Sequence, residues 1–267
     1  MNVKVCNFRS AWFSHDFQES LASTGFAVVT HHGIAESLIR ETQDEWREFF
    51  LSPLSHKNQF ASTTDGNQGY KGMKSEKAVG AKVADLKEFY HWRPGKVLPP
   101  GVQNTTTRVF AQLEDIGLQM LQTLKWRECC DGSNNTILRT LYYPAAVDCP
   151  VESGAVRAAA HEDINFITLL VAASAPGLQV LDKKGKWHDV PHEENSIVVN
   201  IGDMLQLASR GQYKSTTHRV INASDEQSDR ISMPLFVHPH SDTLLSDGFT
   251  AGQFLAQRIA EIYGHQK

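Results

Sequence analysis

The sequence predicts a mainly β protein with flanking helices: a double-stranded β-helix (jelly-roll) core behind a helical N-terminal region. Two observations carry this. Apolar residues recur at helical spacing through the first half, and from Ile137 the period changes to alternation in short runs separated by turn residues. A histidine–aspartate pair, in His161-Glu162-Asp163, lies far in the chain from a second histidine, in Thr217-His218-Arg219. Only a rigid scaffold of several strands brings such residues to one point.

Ser14 to Gly25 reads as a helix, with Ser14 as N-cap, Phe17 and Leu21 on one face, and Gly25 as the stop. Phe26 to Thr30 follows as a strand. Ala35 to Phe50 is a second helix, with Leu38, Ile39, Thr42, Trp46, Phe49 and Phe50 along one side. Pro53 opens a short helix reaching Phe60. Residues 61–100 are rich in glycine and read as a long irregular loop, which inside a compact domain is usually either functional or disordered. Thr105 to Glu128 is the longest helix, and Gly117 within it suits close packing. Strands are expected at 137–142, 164–171, 178–181, 187–190, 196–201, 205–208, 218–222 and 230–237. Thr250 to Tyr263 closes the chain as a helix, with a Thr250/Gln253 capping box and Phe254, Leu255, Ile259 and Ile262 facing inward. With no repeat or linker, residues 1–267 read as a single domain: a helical part to about 130, a core from about 135 to 240 and a last helix from about 250 to 264.

Composition narrows the function. The net charge is −4 with no basic run, which argues against a nucleic-acid partner. No apolar run approaches a membrane span, and the start lacks a signal peptide's basic and apolar regions. Cys6, Cys129, Cys130 and Cys149 have neither zinc-ribbon nor disulfide-framework spacing. Reduced thiols in a cytoplasmic protein are the expectation.

Two imidazoles and one carboxylate with vacant positions on the metal describe the facial triad of non-haem Fe(II) oxygenases, although the ligand types alone also admit Mn, Co, Ni or Zn. His161 and Asp163 are two apart, so an extended strand points them to one side. Taken singly, each has an ordinary structural role available: a backbone-bonded core histidine, a loop-capping carboxylate and a surface histidine. Arg230 and Ser232 likewise share one strand face, and a guanidinium fork beside a hydroxyl is a carboxylate clamp. The alternative for Arg230 is an ion pair with Asp225 or Asp229.

The chain resembles the isopenicillin N synthase-like family of Fe(II)- and 2-oxoglutarate-dependent oxygenases. The resemblance runs through Gly25-Phe26 to His31-His32-Gly33-Ile34, Asp85 to Tyr90, Leu138 to Pro144, His161 to Leu170, Pro176 to Val180, Val199-Asn200-Ile201-Gly202-Asp203, His218-Arg219-Val220 and Arg230-Ile231-Ser232. It implies that His161, Asp163 and His218 ligate iron, and that Arg230 and Ser232 hold the distal carboxylate of 2-oxoglutarate. One departure is Leu141, where many plant relatives have an asparagine; Tyr143 is then the expected remaining contact. Isopenicillin N synthase itself uses the same Arg-x-Ser pair on its substrate's carboxylate, so the clamp marks a carboxylate rather than a named one. In the family the region 61–100 lies over the metal, which makes Tyr70, Phe89 and Tyr90 candidate substrate contacts, with aromatic packing under a loop as the alternative for each. Arg157, Phe166 and Phe236 are further candidates, with apolar core as the ordinary role of the two phenylalanines.

The expected activity is oxidation of a small organic molecule by O2 at Fe(II), by hydroxylation, desaturation or ring closure, with 2-oxoglutarate converted to succinate and CO2. Two rivals remain at this point: an Fe(II) oxidase of the same fold that uses no 2-oxoglutarate, and a catalytically silent metal- or ligand-binding protein.

Overall fold

The alternating half of the chain folds into two sheets, and the helical half packs against one of them. The computed structural model describes residues 1–62, 68–73, 75, 86–145, 158–171, 177–221, 229–246 and 248–264. In chain order the first half holds β1 (Val5–Asn7), α1 (Phe13–Thr24), β2 (Phe26–Thr30), α2 (Glu36–Leu51), α3 (Leu54–Lys57), β3 (Gly69–Lys71), β4 (Glu88–Trp92) and α4 (Gln103–Leu124). The second half holds β5 (Ile137–Tyr143), β6 (Ala158–His161), β7 (Ile167–Val171), β8 (Leu178–Leu181), β9 (Trp187–Asp189) and β10 (Ile197–Ile201). Then come α5 (Asp203–Ala208), β11 (His218–Val220), β12 (Arg230–Ser232), β13 (Pro234–Val237), β14 (Leu244–Ser246), β15 (Phe249–Thr250) and α6 (Ala251–Gly264).

The larger sheet runs β1-β2-β10-β7-β13-β5-β4-β3, with β12 also paired to β5. The smaller runs β6-β11-β8-β9. Apart from the parallel β1–β2 pair, the strands of both sheets pair antiparallel, as in a jelly roll. Their inner faces meet through Phe26, Val28 and Val198 of the larger sheet and Val180 of the smaller, with Val190 just beyond β9 in the same cluster.

Helices α2 and α4 cover the outer face of the larger sheet. The apolar stripe read from α2 is the buried one, residue for residue. Trp46 at its centre donates its indole N–H to Thr106 Oγ1 of α4 at 2.9 Å, which satisfies a group that burial would otherwise strand. Each such fully buried large side chain contributes roughly 1.5–3 kcal/mol. Gly117 lets α4 approach the sheet: a Cβ there would stand 3.2 Å from Leu169 and from Val237. Gly25 ends α1 at φ +76°, its N–H bonded to Leu21 O, and any larger residue would meet Lys214 O at 2.5 Å.

The structure corrects four local expectations. Ser14 lies inside α1, whose N-cap is Trp12 without a side-chain cap. The region 61–100 is not loop throughout, because β3 and β4 form one edge of the larger sheet. Residues 205–208 belong to helix α5, not a strand. The chain must turn there: Gly202 packs so tightly on Asn165 that a Cβ would lie 2.1 Å from its carbonyl oxygen. Last, 164–171 is not one strand; residues 162–166 cross from the smaller sheet to the larger, and β7 starts at Ile167. The Thr250/Gln253 capping box forms as expected, with Gln253 N–H on Thr250 Oγ1 at 3.3 Å and Thr250 N–H on Gln253 Oε1 at 3.0 Å. Among the described residues no helix is long and apolar enough to cross a membrane, and Cys6, Cys129 and Cys130 are free.

Candidate active site

Strand register brings the two histidines together. His161 ends β6 and His218 begins β11, and the two are direct cross-strand partners. Their ring centroids stand 4.4 Å apart. Each ring is fixed by the same device: Nδ1 of His161 lies 2.8 Å from Ala159 O, and Nδ1 of His218 lies 3.1 Å from Thr216 O. With Nδ1–H donating to backbone two residues back, the Nε2 lone pair is left to face the third group. Phe26 of the larger sheet packs edge-on to His218 at 5.4 Å.

Asp163 comes from the crossing segment and is anchored to the opposite sheet. Its Oδ2 accepts from Thr168 Oγ1 of β7 at 2.6 Å and from Asn200 Nδ2 of β10 at 2.8 Å. Its backbone oxygen accepts from Asp203 N at 2.7 Å, and Ile164 O accepts from Met204 N at 3.1 Å. The first turn of α5 therefore clamps the ligand loop. Oδ1 is left pointing at the histidines, 3.7 Å from His161 Nε2 and 4.0 Å from His218 Nε2. The three ligand atoms all lie within 4.8 Å of one another. A cation about 2.1 Å from each donor needs them about 3.0–3.4 Å apart, so small side-chain movements complete the site. Burial works to raise the Asp163 pKa, but His218, His161, Asn200 and Thr168 together hold it below the usual carboxylate value. Burial, with the charge of His161 beside it, pushes His218 down to about 4. Both groups are thus kept in their metal-binding forms.

Arg230 and Ser232 lie on β12, both buried. Arg230 pairs Tyr143 across the ladder and Ser232 pairs Leu141, so all four share one sheet face. Phe89 of β4 joins that face opposite Leu141 and packs with Leu141 and Tyr143. This face is turned away from α2: the alternate residue Tyr142 stacks on Phe50 of that helix at 5.7 Å. The hydroxyls of Ser232 and Tyr143 meet no hydrogen-bond partner among the described residues. A buried guanidinium with two such hydroxyls on its face fits a carboxylate-bearing cosubstrate. Asp229 is engaged by Arg47, at 3.0 Å from its Nε.

The remaining candidates separate by strand alternation. Phe89 faces inward. Tyr70 and Tyr90 face the helices instead, and the structure does not bring them to the triad. Tyr90 packs on Trp46 and Phe49 and donates to Val97 O at 3.0 Å; Tyr70 packs on Phe49 and donates to Glu88 Oε2 at 2.9 Å. Phe166 is fully buried in the helix-side core, edge-on to Trp126. Phe236 is half-buried and opposite Thr168, so it stands on the inner face beside the group that holds Asp163. Arg157 lies outside the described residues.

Sequence reading gave no role to Thr168, Asn200, Arg139 or His238. Asn200 could have been found, since a polar side chain in the apolar run Ile197–Ile201 must have a partner. Arg139 alternates with Leu141 and Tyr143 on the inner face, its guanidinium carbon 4.0 Å from the centre of the Phe89 ring. His238 is buried two residues beyond Phe236, and burial holds its pKa near 4.

Comparison with known proteins identifies the family. Residues 134–239 match the 2OG-Fe(II) oxygenase superfamily, and residues 9–115 match the N-terminal region of non-haem dioxygenases in morphine synthesis. A flavonol synthase/flavanone 3-hydroxylase of Petunia hybrida is 30% identical over 240 residues, covering 82% of this chain and 67% of that protein. The crystal structure of an oxygenase from Shewanella oneidensis is 38% identical with a TM-score of 0.87, covering 98% of this chain and 99% of that one. The structure of JOX2 in complex with 2OG, Fe and JA is 26% identical with a TM-score of 0.78, covering 92% and 77%. With such a relative across most of the chain and both family segments present, this protein belongs to the 2OG-Fe(II) oxygenase superfamily and is an Fe(II)- and 2-oxoglutarate-dependent dioxygenase.

Proposed function

We propose that His161, Asp163 and His218 hold the Fe(II), that Arg230, Ser232 and Tyr143 hold 2-oxoglutarate, and that a small organic substrate is oxidised between them. The observation that carries this reading is the meeting of two imidazoles from the smaller sheet with a carboxylate from the crossing segment that is anchored to the larger, each with its other polar atom already bonded. Bound iron supplies the coupling of O2 to decarboxylation of 2-oxoglutarate, with release of succinate and CO2. The chain's own part is positional. Ala159 and Thr216 carbonyls fix the imidazole tautomers, while Thr168 and Asn200 hold one carboxylate oxygen so that the other faces the metal. Arg230 binds the cosubstrate's distal carboxylate in a buried setting where a charge-assisted fork is strong. Phe89 and Phe236 line the inner face and exclude water from it.

Helix packing on the outer face supports reading the whole chain as one domain. The free thiols support a cytoplasmic setting. The test is a screen of small organic molecules under air with Fe(II), ascorbate and 2-oxoglutarate, detecting succinate. At least one compound class should raise succinate well above the level of a His161→Ala variant. No rise with any class sinks the reading.

A further inference from the structure

We infer that His238 anchors the substrate, and that the substrate presents an O–H or N–H donor to its Nε2. The inference rests on the oxygenase reading above and names a chemical class for its substrate.

Strand alternation places the residue. In β13, Leu235 and Val237 belong to the helix-side core, and a Cβ on Gly117 of α4 would stand 3.2 Å from Val237. Pro234 and Phe236 therefore face inward, and His238 is the next residue on that alternation. Phe236 stands opposite Thr168, whose hydroxyl holds Asp163, and it is the one residue of β13 left half-buried. His238 lies one step beyond it, about 7 Å along the strand. The charge of Asp163 reaches His238, yet the ring is no part of the cluster formed by His161, Asp163 and His218. It stands beside the metal site, not in it.

The chain around His238 is held on both sides. Val237 O accepts from Phe166 N at 3.0 Å, and His238 N donates to Thr136 Oγ1 at 3.4 Å. Pro239 O accepts from Ser133 Oγ at 3.1 Å and Asn135 Nδ2 at 3.2 Å, and His240 N donates to Cys129 O at 2.8 Å. A side chain on so rigid a base needs little ordering when a ligand arrives.

The ring is set by the device seen at both metal-binding histidines. Its Nδ1 lies 3.1 Å from the carbonyl oxygen two residues back, that of Phe236, so Nδ1 carries the hydrogen and Nε2 the lone pair. Burial holds its pKa near 4, against the opposing effects of the Phe236 carbonyl and the Asp163 charge, and the ring is neutral near pH 7. His238 is only 6% exposed, and Nε2 meets no hydrogen-bond partner among the described residues. A buried acceptor without a donor is costly, and a ligand that supplies the donor relieves that cost. Such an acceptor takes an O–H or N–H and repels the lone pairs of an ether or a carboxylate. A molecule held there lays its apolar body over the Phe236 ring, towards Thr168 and the metal ligands.

The test is an anaerobic titration of the Fe(II)–2-oxoglutarate complex with matched probes, following the change in its visible absorption. The probes are substituted phenols and anilines, the fluoroarenes and methyl ethers that match them but donate no hydrogen, and the matching benzoic acids. At least one phenol or aniline should perturb the band at a concentration about tenfold or more below its non-donating counterparts. His238→Leu should remove that gap. His238→Gln, whose amide oxygen still accepts, should restore part of it, whereas a merely structural histidine would leave the gap in place in both variants. Non-donating probes binding as well as donors, benzoic acids binding in preference, no probe binding at all, or a gap unchanged in His238→Leu overturns the inference. If His238→Leu fails to fold, the wild-type contrast together with His238→Gln decides the matter. Failure of the Fe(II)–2-oxoglutarate absorption to form in the wild type would instead remove the oxygenase reading beneath it.

Discussion

Along β4 and β5, neighbouring residues point into two different environments. Tyr90, Trp92, Leu138 and Tyr142 face α2 and α4, in an aromatic layer around Trp46, Phe49 and Phe50. Phe89, Arg139, Leu141 and Tyr143 face the interior between the sheets, alongside Arg230 and Ser232. Both faces are largely buried, yet one is dominated by aromatic and aliphatic packing and the other carries cations and hydroxyls. The strand period of two keeps the stabilising residues and the chemical ones apart while they alternate in sequence. Substitutions on the two faces should therefore fail in different ways.

The sharpest break comes from the helix face. Tyr90→Ala should destabilise the fold by about 3–5 kcal/mol, as for other large aromatic truncations, while the folded fraction still binds 2-oxoglutarate. Denaturant titration alongside calorimetry separates these effects. On the inner face the pattern reverses. Arg230→Ala should weaken 2-oxoglutarate binding about 30-fold or more, the equivalent of at least about 2 kcal/mol, with a smaller change in stability. An unchanged affinity would remove Arg230 from the cosubstrate site.

Acid should act on the inner face first. His218 and His238 are both buried with pKa values near 4, against 6.5 for the free side chain. The unfolded chain therefore binds more protons between pH 6.5 and 4. Stability of the metal-free protein is full above 6.5 and falls through that window, by up to about 3 kcal/mol for each histidine. The depressed Asp163 adds a further loss below its usual value near 3.8. Thermal melts from pH 7.5 to 4 should show the decline, and a flat profile would count against buried neutral histidines. A further effect is expected at Asn200. Asn200→Ala frees Asp163 Oδ2 from one of its two side-chain donors and should lower metal affinity about 10–100-fold, with the fold retained. Metal titration with a competing chelator measures it.

What could be read from the sequence follows from the same two faces. Helix α2 was legible because one side meets core and the other water, which gives a clean period. Strand β4 was not, because Glu88-Phe89-Tyr90-His91-Trp92 has no water-facing side to mark the alternation, and flanking glycines suggested loop. For the same reason Tyr70 and Tyr90 could not be told from Phe89 before the register was known. The triad residues were legible as types in family motifs, but not as geometry. Asp163 is not on the strand of His161 at all; it is carried in the crossing segment and aimed by Thr168, Asn200 and the start of α5. Those partners sit on distant elements, and no local pattern names them.

The most direct measurement is anaerobic visible absorption on adding Fe(II) and 2-oxoglutarate to the wild-type protein and to Asp163→Ala. The account predicts a weak charge-transfer band at one iron per chain in the wild type, and no such band in the variant at the same concentrations although its fold is intact by circular dichroism. A band of equal strength in both proteins, or in neither, would contradict it.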